Sequence, residues 1–165
     1  MKADVIEVIS KAGELALDYF KQIDTLNVRR KSPKDLVTQA DVEVEAFLKA
    51  QFQQRFPDIG FWGEESGCTQ NNGTRWIVDP IDGTHSFVRR QYFWSISIAL
   101  EVDGEIVLGA VLAPRLNDLY FAEKGKGATR NNIPIRTSPI PSLNEAMVAT
   151  GFACLRDSLP NNNLP

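Results

Sequence analysis

The chain has 165 residues, of which 43% are hydrophobic, and a formal net charge of −3. This length and hydrophobic content are enough for one buried core and argue against a disordered chain. The acidic balance argues against direct nucleic-acid binding, which usually needs a basic face to neutralise phosphates.

The cysteines and the N-terminus restrict the cellular context. Cys68 and Cys154 lie far apart and match neither a zinc knuckle nor a redox pair, so we expect reduced thiols. The first residues carry acids where a signal peptide is apolar, and no stretch reaches the length of a membrane span. We therefore expect a cytoplasmic protein that does not bind membranes.

The first third of the chain predicts two helices. Apolar residues recur at intervals of three and four from residue 3 to about residue 23, which is typical of a helix with one buried face. The charged residues 27–36 interrupt this spacing and predict an exposed loop. A second helix is predicted from Thr38 to about Phe56, because Thr38 and Asp41 match a capping box with Asp in place of the usual Glu.

From Phe61 onward the apolar spacing predicts strands. Residues 94–102 alternate almost ideally, and Asp103 and Gly104 then form a strong hairpin signal. Further strands are predicted at residues 75–78, 106–112 and 119–122, with a candidate strand at 146–150. Helices followed by an antiparallel meander predict an α+β fold, a layered sandwich with two helices on a largely antiparallel sheet. We expect one metal-binding domain over residues 1–155 and an irregular tail over residues 156–165.

One turn combines two carboxylates with an anion-binding loop. Asp79 and Asp82 follow an apolar strand, and the carbonyl of Ile81 lies between them in the chain. Such hard oxygen donors suit Mg²⁺, which completes its octahedron with water and substrate phosphate. The amides of Gly83 and Thr84 come next, where a helix start can hold an oxyanion. The turn therefore predicts a Mg²⁺ site beside a phosphate site.

An acidic pair upstream extends this prediction. Taken alone, Glu64 and Glu65 are typical of an exposed acidic loop, but together with the later turn one of them is a candidate third carboxylate. The single histidine, His85, is a candidate general base. A hydroxide bound to the metal would make that role unnecessary.

These segments resemble the signature of the inositol monophosphatase family, which are Mg²⁺-dependent, lithium-sensitive phosphomonoesterases. The resemblance rests on residues 63–66 and 76–84, with support from residues 31–41 and 124–128, in the same order along nearly the whole chain. It implies hydrolysis of a small phosphate monoester, inositol monophosphate in the first instance, by water activated by two or three Mg²⁺ ions. It also implies a layered α/β sandwich of that family's type, a small phosphorylated metabolite as ligand, and a homodimer when full length.

The resemblance assigns metal ligands residue by residue. It implies that Glu64, Asp79 and the carbonyl of Ile81 hold a first metal, and that Asp79 bridges to a second metal which Asp82 also binds. Asp41 matches an acid that serves a weaker metal or its water shell, and capping of the second helix is an equally open alternative.

The resemblance assigns the remaining site roles in the same way. Thr84 with Glu64 matches the pair that orients the attacking water, and Glu65 matches an acid that holds water bound to the metal. The implied phosphate contacts are Asp82, Gly83 and Thr84. Lys31 matches a residue of the mobile loop beside the metals.

The sequence also departs from the family pattern. Family members continue into a second α/β half with one more metal-binding aspartate in a Trp-Asp motif, and this sequence has no Trp-Asp pair. We therefore expect that the C-terminal half is absent, that residues 156–165 mark a truncation point, and that this chain by itself turns over weakly or not at all.

Two kinds of alternative function stay open. Residues 84–88 differ from the Thr-Asn-Phe common in inositol phosphatases and are closer to histidinol phosphatases. Histidinol phosphate, fructose 1,6-bisphosphate and a 3′-phosphonucleotide are therefore alternative substrates. A non-catalytic protein-interaction module is the alternative from a different class, and a Ca²⁺ site is weaker because the ligand spacing of an EF-hand is missing.

Overall fold

The computed structural model describes residues 1–25, 28–32, 35–68 and 73–149, and only the backbone within residues 25–32 and 35–37. The chain divides into two compact units, Met1–Ile135 and Arg136–Pro165. The expected boundary at residue 155 and the expected tail at 156–165 lie outside the described residues, so both stay predictions.

Helices and a large sheet make up the first unit. The helices are α1 (Lys2–Lys21), α2 (Gln39–Arg55) and α3 (Thr84–Val88), with a 3₁₀ turn at Ile23–Thr25. The strands are β1 (Val28–Ser32), β2 (Asp35–Thr38), β3 (Gly60–Gly63), β4 (Gly67–Cys68), β5 (Thr74–Asp82), β6 (Ser95–Val102), β7 (Glu105–Ala113), β8 (Asp118–Glu123), β9 (Gly127–Arg130) and β10 (Ile133–Ile135). Among the described helices, none is long and apolar enough to cross a membrane.

Both predicted long helices are confirmed, and each starts and packs for a local reason. The apolar stripe of α1 is fully buried, and its members are Val5, Val8, Ile9, Ala12 and Ala16. The α2 helix begins with the predicted capping box. The Thr38 hydroxyl accepts from the amides of Ala40 and Asp41, and the Asp41 carboxylate accepts the Thr38 N–H at 2.8 Å. This cap fixes the first turn of α2.

The eight-stranded sheet has the order β10-β9-β8-β7-β6-β5-β3-β4. Its strand pairs are antiparallel except for β3 with β5, which is parallel. Buried Ile96, Ile98 and Leu100 alternate with less buried neighbours on β6, as expected where one face of a sheet meets a core. Helix α1 contacts β6 and β7, and α2 contacts β5. The α+β class with two helices on a largely antiparallel sheet is confirmed.

Two local predictions are wrong. The expected loop at residues 27–36 contains strand β1, and β1 pairs antiparallel with β2; residues 27, 33 and 34 lie outside the described part. The charged residues 29–31 leave β1 without an apolar alternation that the sequence could reveal. The candidate strand at 146–150 is absent over its described residues 146–149, where Met147 is 97% exposed.

The sequence analysis missed β9 and β10. Both are short, and the side chains of Ile133 and Ile135 on β10 are exposed. The chain therefore carries no burial signal for them. In the sheet β9 pairs with β8, and β10 pairs with β9.

Candidate active site

Strand β5 ends in a bulge between the two predicted metal-binding aspartates. Asp79 pairs with Ser97 and Asp82 pairs with Ser95, so the β5 side carries one extra residue between these pairs. Pro80 lies in this interval and cannot donate a ladder hydrogen bond, which suits such an irregularity. The Asp82 side chain is exposed there, and its Oδ2 lies 3.4 Å from the Ser95 hydroxyl.

Gly83 makes the turn from β5 into α3. Its φ is 92°, and an added Cβ would lie 3.1 Å from the carbonyl oxygen of Phe93. A residue with a side chain is strained in this conformation, so the position favours glycine. The next residues form the predicted short helix. Phe87 anchors that helix through ring contacts with Phe20 at 5.3 Å and Trp94 at 4.9 Å.

The hydroxyl of Thr84 joins this helix to two other parts of the site. It lies 3.1 Å from the carbonyl oxygen of Ile81 and 3.1 Å from Oδ1 of Asp41. A hydroxyl has one hydrogen to donate, so these two acceptors share it and the oxygen keeps lone pairs to accept another donor. The predicted site residues Thr84, Ile81 and Asp41 are therefore brought together.

Asp41 is almost fully buried, with 1% of its surface exposed. Burial raises the pKa of its carboxyl above the usual value, while hydrogen bonds from Thr38 and then Thr84 act in the opposite direction. Its Oδ2 accepts from the Thr38 backbone N–H and hydroxyl. The capping alternative for Asp41 is thus realised, and its role toward a metal stays a prediction.

Glu64 directly follows β3, beside the end of β5 that carries Asp79. Its backbone N–H donates to the carbonyl oxygen of Val78 at 3.1 Å, directly before Asp79. Burial first, then the negative charges of Glu64 and Asp82, raise the pKa of Asp79 to about 7. Asp79 therefore lies close enough to the carboxylates of Glu64 and Asp82 to be repelled by both.

The donor set fits a hard divalent cation. Oδ1 of Asp79 is buried and has no hydrogen-bond partner among the described residues. Such an oxygen is costly unless a donor or a cation satisfies it. Carboxylate oxygens are the donors that Mg²⁺ prefers, and a cation there would also relieve the repulsion from Glu64 and Asp82. Within the described residues, no group of three or more Asp, Glu, His or Cys side chains is already arranged around a common metal position.

Glu45 is a site residue that sequence reasoning missed. It is 2% exposed, and its carboxylate accepts the N–H groups of Glu65 and Ser66, each at 2.7 Å. A signal was present in the sequence. Glu45 lies four residues after Asp41 on α2, and residues at that spacing share one helix face.

The structure places the other predicted site residues without testing their roles. Glu65 is partly buried and joined to Glu45 through its backbone, and its role toward water stays a prediction. Lys31 lies on β1, where its side chain is outside the described part, so the mobile-loop role is untested. His85 lies on α3, and its Nδ1 is 2.9 Å from a guanidinium nitrogen of Arg89.

A cavity of about 290 Å³ opens beside Asp82 and Gly83. Apolar side chains form most of its remaining wall, namely Tyr92, Phe93, Trp94, Val111, Ala113 and Leu116. Tyr92 and Phe93 are 53% and 78% exposed. The turn of residues 79–84, called the acidic turn below, therefore borders an apolar, solvent-accessible surface.

Similarity to known proteins agrees with the family that the sequence motifs resemble. The profile of the inositol monophosphatase family matches residues 2–164. A histidinol-phosphatase of Chlorobaculum parvum is 43% identical, over 82% of this chain and 52% of its own length. An inositol-1-monophosphatase of Rhizobium meliloti is 37% identical, over 89% of this chain and 56% of its own length. The crystal structure of the extragenic suppressor protein suhB of Bartonella henselae superposes with a TM-score of 0.81 at 34% identity, over 84% of this chain and 55% of that one. The chain thus spans about half the length of the curated relatives it matches.

Proposed function

The chain belongs to the inositol monophosphatase family, and we propose that it supplies the metal-binding part of a Mg²⁺-dependent phosphoric monoester hydrolase. The observation that carries this proposal is the buried, unpartnered Oδ1 of Asp79 among the described residues, beside Glu64 and Asp82. Two or three Mg²⁺ ions form part of the proposal, with Glu64, Asp79, Asp82, Asp41 and the Ile81 carbonyl as their ligands.

The metal, when bound, supplies positive charge that offsets the charges of the phosphate and favours ionisation of water. The chain's own residues orient the reaction. Asp41 and the Ile81 carbonyl engage the Thr84 hydrogen, so the Thr84 oxygen can accept a hydrogen bond from the attacking water. The Glu64 carboxylate would accept the second hydrogen of that water. The amides of Gly83 and Thr84 would hold a phosphate oxygen.

The proposed substrate class is the monophosphate ester of a small polyol or amino alcohol. Inositol monophosphate is the first candidate, supported by the family and by the 37% identical relative. Histidinol phosphate is the second, and two observations favour it: the 43% identical relative and the sequence of residues 84–88. Both esters present one phosphate to the same acidic turn, so the substrate alcohol has to be distinguished elsewhere.

Phosphate release from a panel of both esters tests the proposal. We expect Mg²⁺-dependent, lithium-sensitive release by a version of the chain extended to the length of its relatives, and weak or no release by the 165-residue chain. Asp79→Asn should abolish release, whereas Asp18→Asn on the exposed face of α1 should not change it. Release that persists in excess chelator would contradict the proposal.

The same variant separates catalysis from a binding role. If Asp79→Asn abolished metal binding and left the protein's biological effect intact, a non-catalytic interaction module would replace the hydrolase. A homodimer of the full-length protein and a cytoplasmic location belong to the proposal as well. The exposed aromatics Tyr92 and Phe93 beside the site support the dimer, since subunits commonly bury such surfaces.

A further inference from the structure

A buried carboxylate on α2 holds the turn that carries Glu64. We infer that Glu45 is a positioning residue for the metal site, which fixes Glu64 against Asp79 without itself touching metal or substrate. This inference rests on the proposed function, since it assigns Glu64 to the metal. It concerns a residue that neither the sequence motifs nor the acidic turn include.

Both oxygens of Glu45 are engaged by backbone. Oε2 accepts the N–H of Glu65 and Oε1 accepts the N–H of Ser66, each at 2.7 Å. Hydrogen bonds from N–H groups to an ionised acceptor are stronger than those to a neutral one. The two bonds are partly buried, and Glu45 itself is only 2% exposed. The chain directly after Glu64 is therefore tied to α2 by two bonds that point to one carboxylate.

Gly63 shows how closely the carboxylate fits the turn. A Cβ at Gly63 would lie 2.3–2.5 Å from the three atoms of the Glu45 carboxyl group. Real Cβ atoms essentially never show non-bonded contacts below 3.0 Å, so any side chain at this position would displace Glu45 or the turn. The glycine is needed here for space, because its φ lies outside the left-handed region.

The chain before Glu64 is fixed from the other side. Gly63 pairs with Val78 in the parallel register of β3 and β5, and the Glu64 N–H donates to the Val78 carbonyl at 3.1 Å. Strand β5 thus holds Glu64 through its own amide, and α2 holds it through the next two amides. Neither contact uses the Glu64 carboxylate.

Helix α2 links this turn to the opposite side of the site. Asp41 and Glu45 are both buried and one helical turn apart, and Asp41 accepts from the Thr84 hydroxyl. One rigid helix face therefore sets the position of Glu64 relative to Thr84, the pair proposed to orient the water. This arrangement gives Glu45 a role in geometry, because both of its oxygens are directed to the amides of the turn.

Glu45→Gln in the 165-residue chain tests the inference. The amide keeps one acceptor and places an NH₂ group against a backbone N–H, so one of the two bonds is lost. Mn²⁺ titration followed by electron paramagnetic resonance, with Mg²⁺ as competitor, measures the metal site without any turnover. We expect metal affinity to fall about 10- to 100-fold, the usual effect of removing a residue that orients metal ligands. Amide exchange at Glu65 and Ser66 should become faster.

Asp118→Asn is the matched control. Asp118 is also a buried acid, 7% exposed, and it accepts two hydrogen bonds from Arg130 at 2.7 and 2.8 Å on strands away from the site. If the role of Glu45 were merely structural, both variants would lower the melting temperature, and both would bind metal with the affinity of the wild type. The inference expects a loss of affinity only in Glu45→Gln.

The outcomes separate this inference from the proposed function. If the wild-type chain binds neither Mn²⁺ nor Mg²⁺, the proposed function fails and the inference fails with it. If the wild type binds metal and Glu45→Gln binds within about twofold of it, the inference alone is overturned. Gly63→Ala retains Glu45 but displaces it, so it should weaken metal binding similarly, and it decides the matter if Glu45→Gln does not fold.

Discussion

The hydroxyl of Thr84 and the carboxylate of Asp41 are 43 positions apart in the chain and 3.1 Å apart in space. This bond joins the first turn of α2 to the first residue of α3. Because the other Asp41 oxygen is bound by Thr38, Asp41 has little freedom to move. Thr84 is therefore presented to the acidic turn in a defined orientation.

Replacing Thr84 tests that orientation. In the extended version, Thr84→Ala should lower kcat by about 100-fold, the usual scale for losing a group that handles the reacting proton. It should also destabilise the protein by about 1 kcal/mol, since a buried Asp41 oxygen loses its donor. Thr84→Ser keeps the hydroxyl and should retain most of the activity. Equal kcat values for the Ala and Ser variants would contradict the role of the hydroxyl.

Asp79→Asn should stabilise the metal-free protein at neutral pH. In the folded state the pKa of Asp79 is raised from 3.8 to about 7 by burial and by Glu64 and Asp82. The folded protein therefore holds a proton that the unfolded chain releases, so stability from this group is full below about pH 4 and is lost as pH rises toward 7. In chelator, the melting temperature of the variant should exceed that of the wild type by a margin that grows with pH over this interval. The margin should be about 2–4 °C for each kcal/mol of repulsion that the substitution removes.

Magnesium gives the control for that experiment. Added Mg²⁺ should raise the melting temperature of the wild type at pH 7.5 and leave the Asp79→Asn variant nearly unchanged, because ligand binding stabilises only a folded state that binds it. A wild type that is more stable than the variant in chelator at pH 7.5 would contradict the predicted repulsion.

Gly83→Ala should impair both folding and the site. A residue with a side chain is strained in the left-handed conformation of Gly83, which costs about 1–2 kcal/mol. The added Cβ would also lie 3.1 Å from the carbonyl oxygen of Phe93. Gly104→Ala is a matched control: its φ is 82°, and no described atom outside Gly104 and its two chain neighbours lies within 4 Å of the added Cβ. Urea unfolding of both variants isolates the cost of the contact. A Gly104 variant as unstable as the Gly83 variant would show that the contact costs nothing.

Phe87→Ala should loosen α3. Phe87 is fully buried between Phe20 and Trp94, so its loss should cost about 3–5 kcal/mol of stability. Phe121→Ala removes a similarly buried ring on β8, 5% exposed, and should cost a comparable amount. Activity measured well below either melting temperature should fall further in the Phe87 variant, because Phe87 lies on the same helix as Thr84 and Phe121 does not. Equal activities would contradict the link.

Local patterns account for the parts of the fold that the sequence predicted. The stripe of α1, the capping box at Thr38 and the alternation of β6 each depend on residues a few positions apart, so their spacing is readable in the chain. The pair of β1 and β2 lacks such a signal, because β1 shows no apolar alternation and its Arg29 and Arg30 pair with Val37 and Leu36 on β2.

The sequence by itself determined the chemical character of this protein. Asp79, Asp82, Gly83 and Thr84 lie so close together in the chain that their types alone indicate oxygen ligands beside an anion-binding turn. The tertiary structure decided how that turn is completed. Glu45 meets the chain 20 and 21 residues later, Asp41 meets Thr84 across 43 residues, and Glu64 reaches Asp79 through a parallel strand pair. Periodicity shows which face of an element is buried, but the partner of that face depends on how the helices pack on the sheet, and this packing is what brings distant carboxylates to one site.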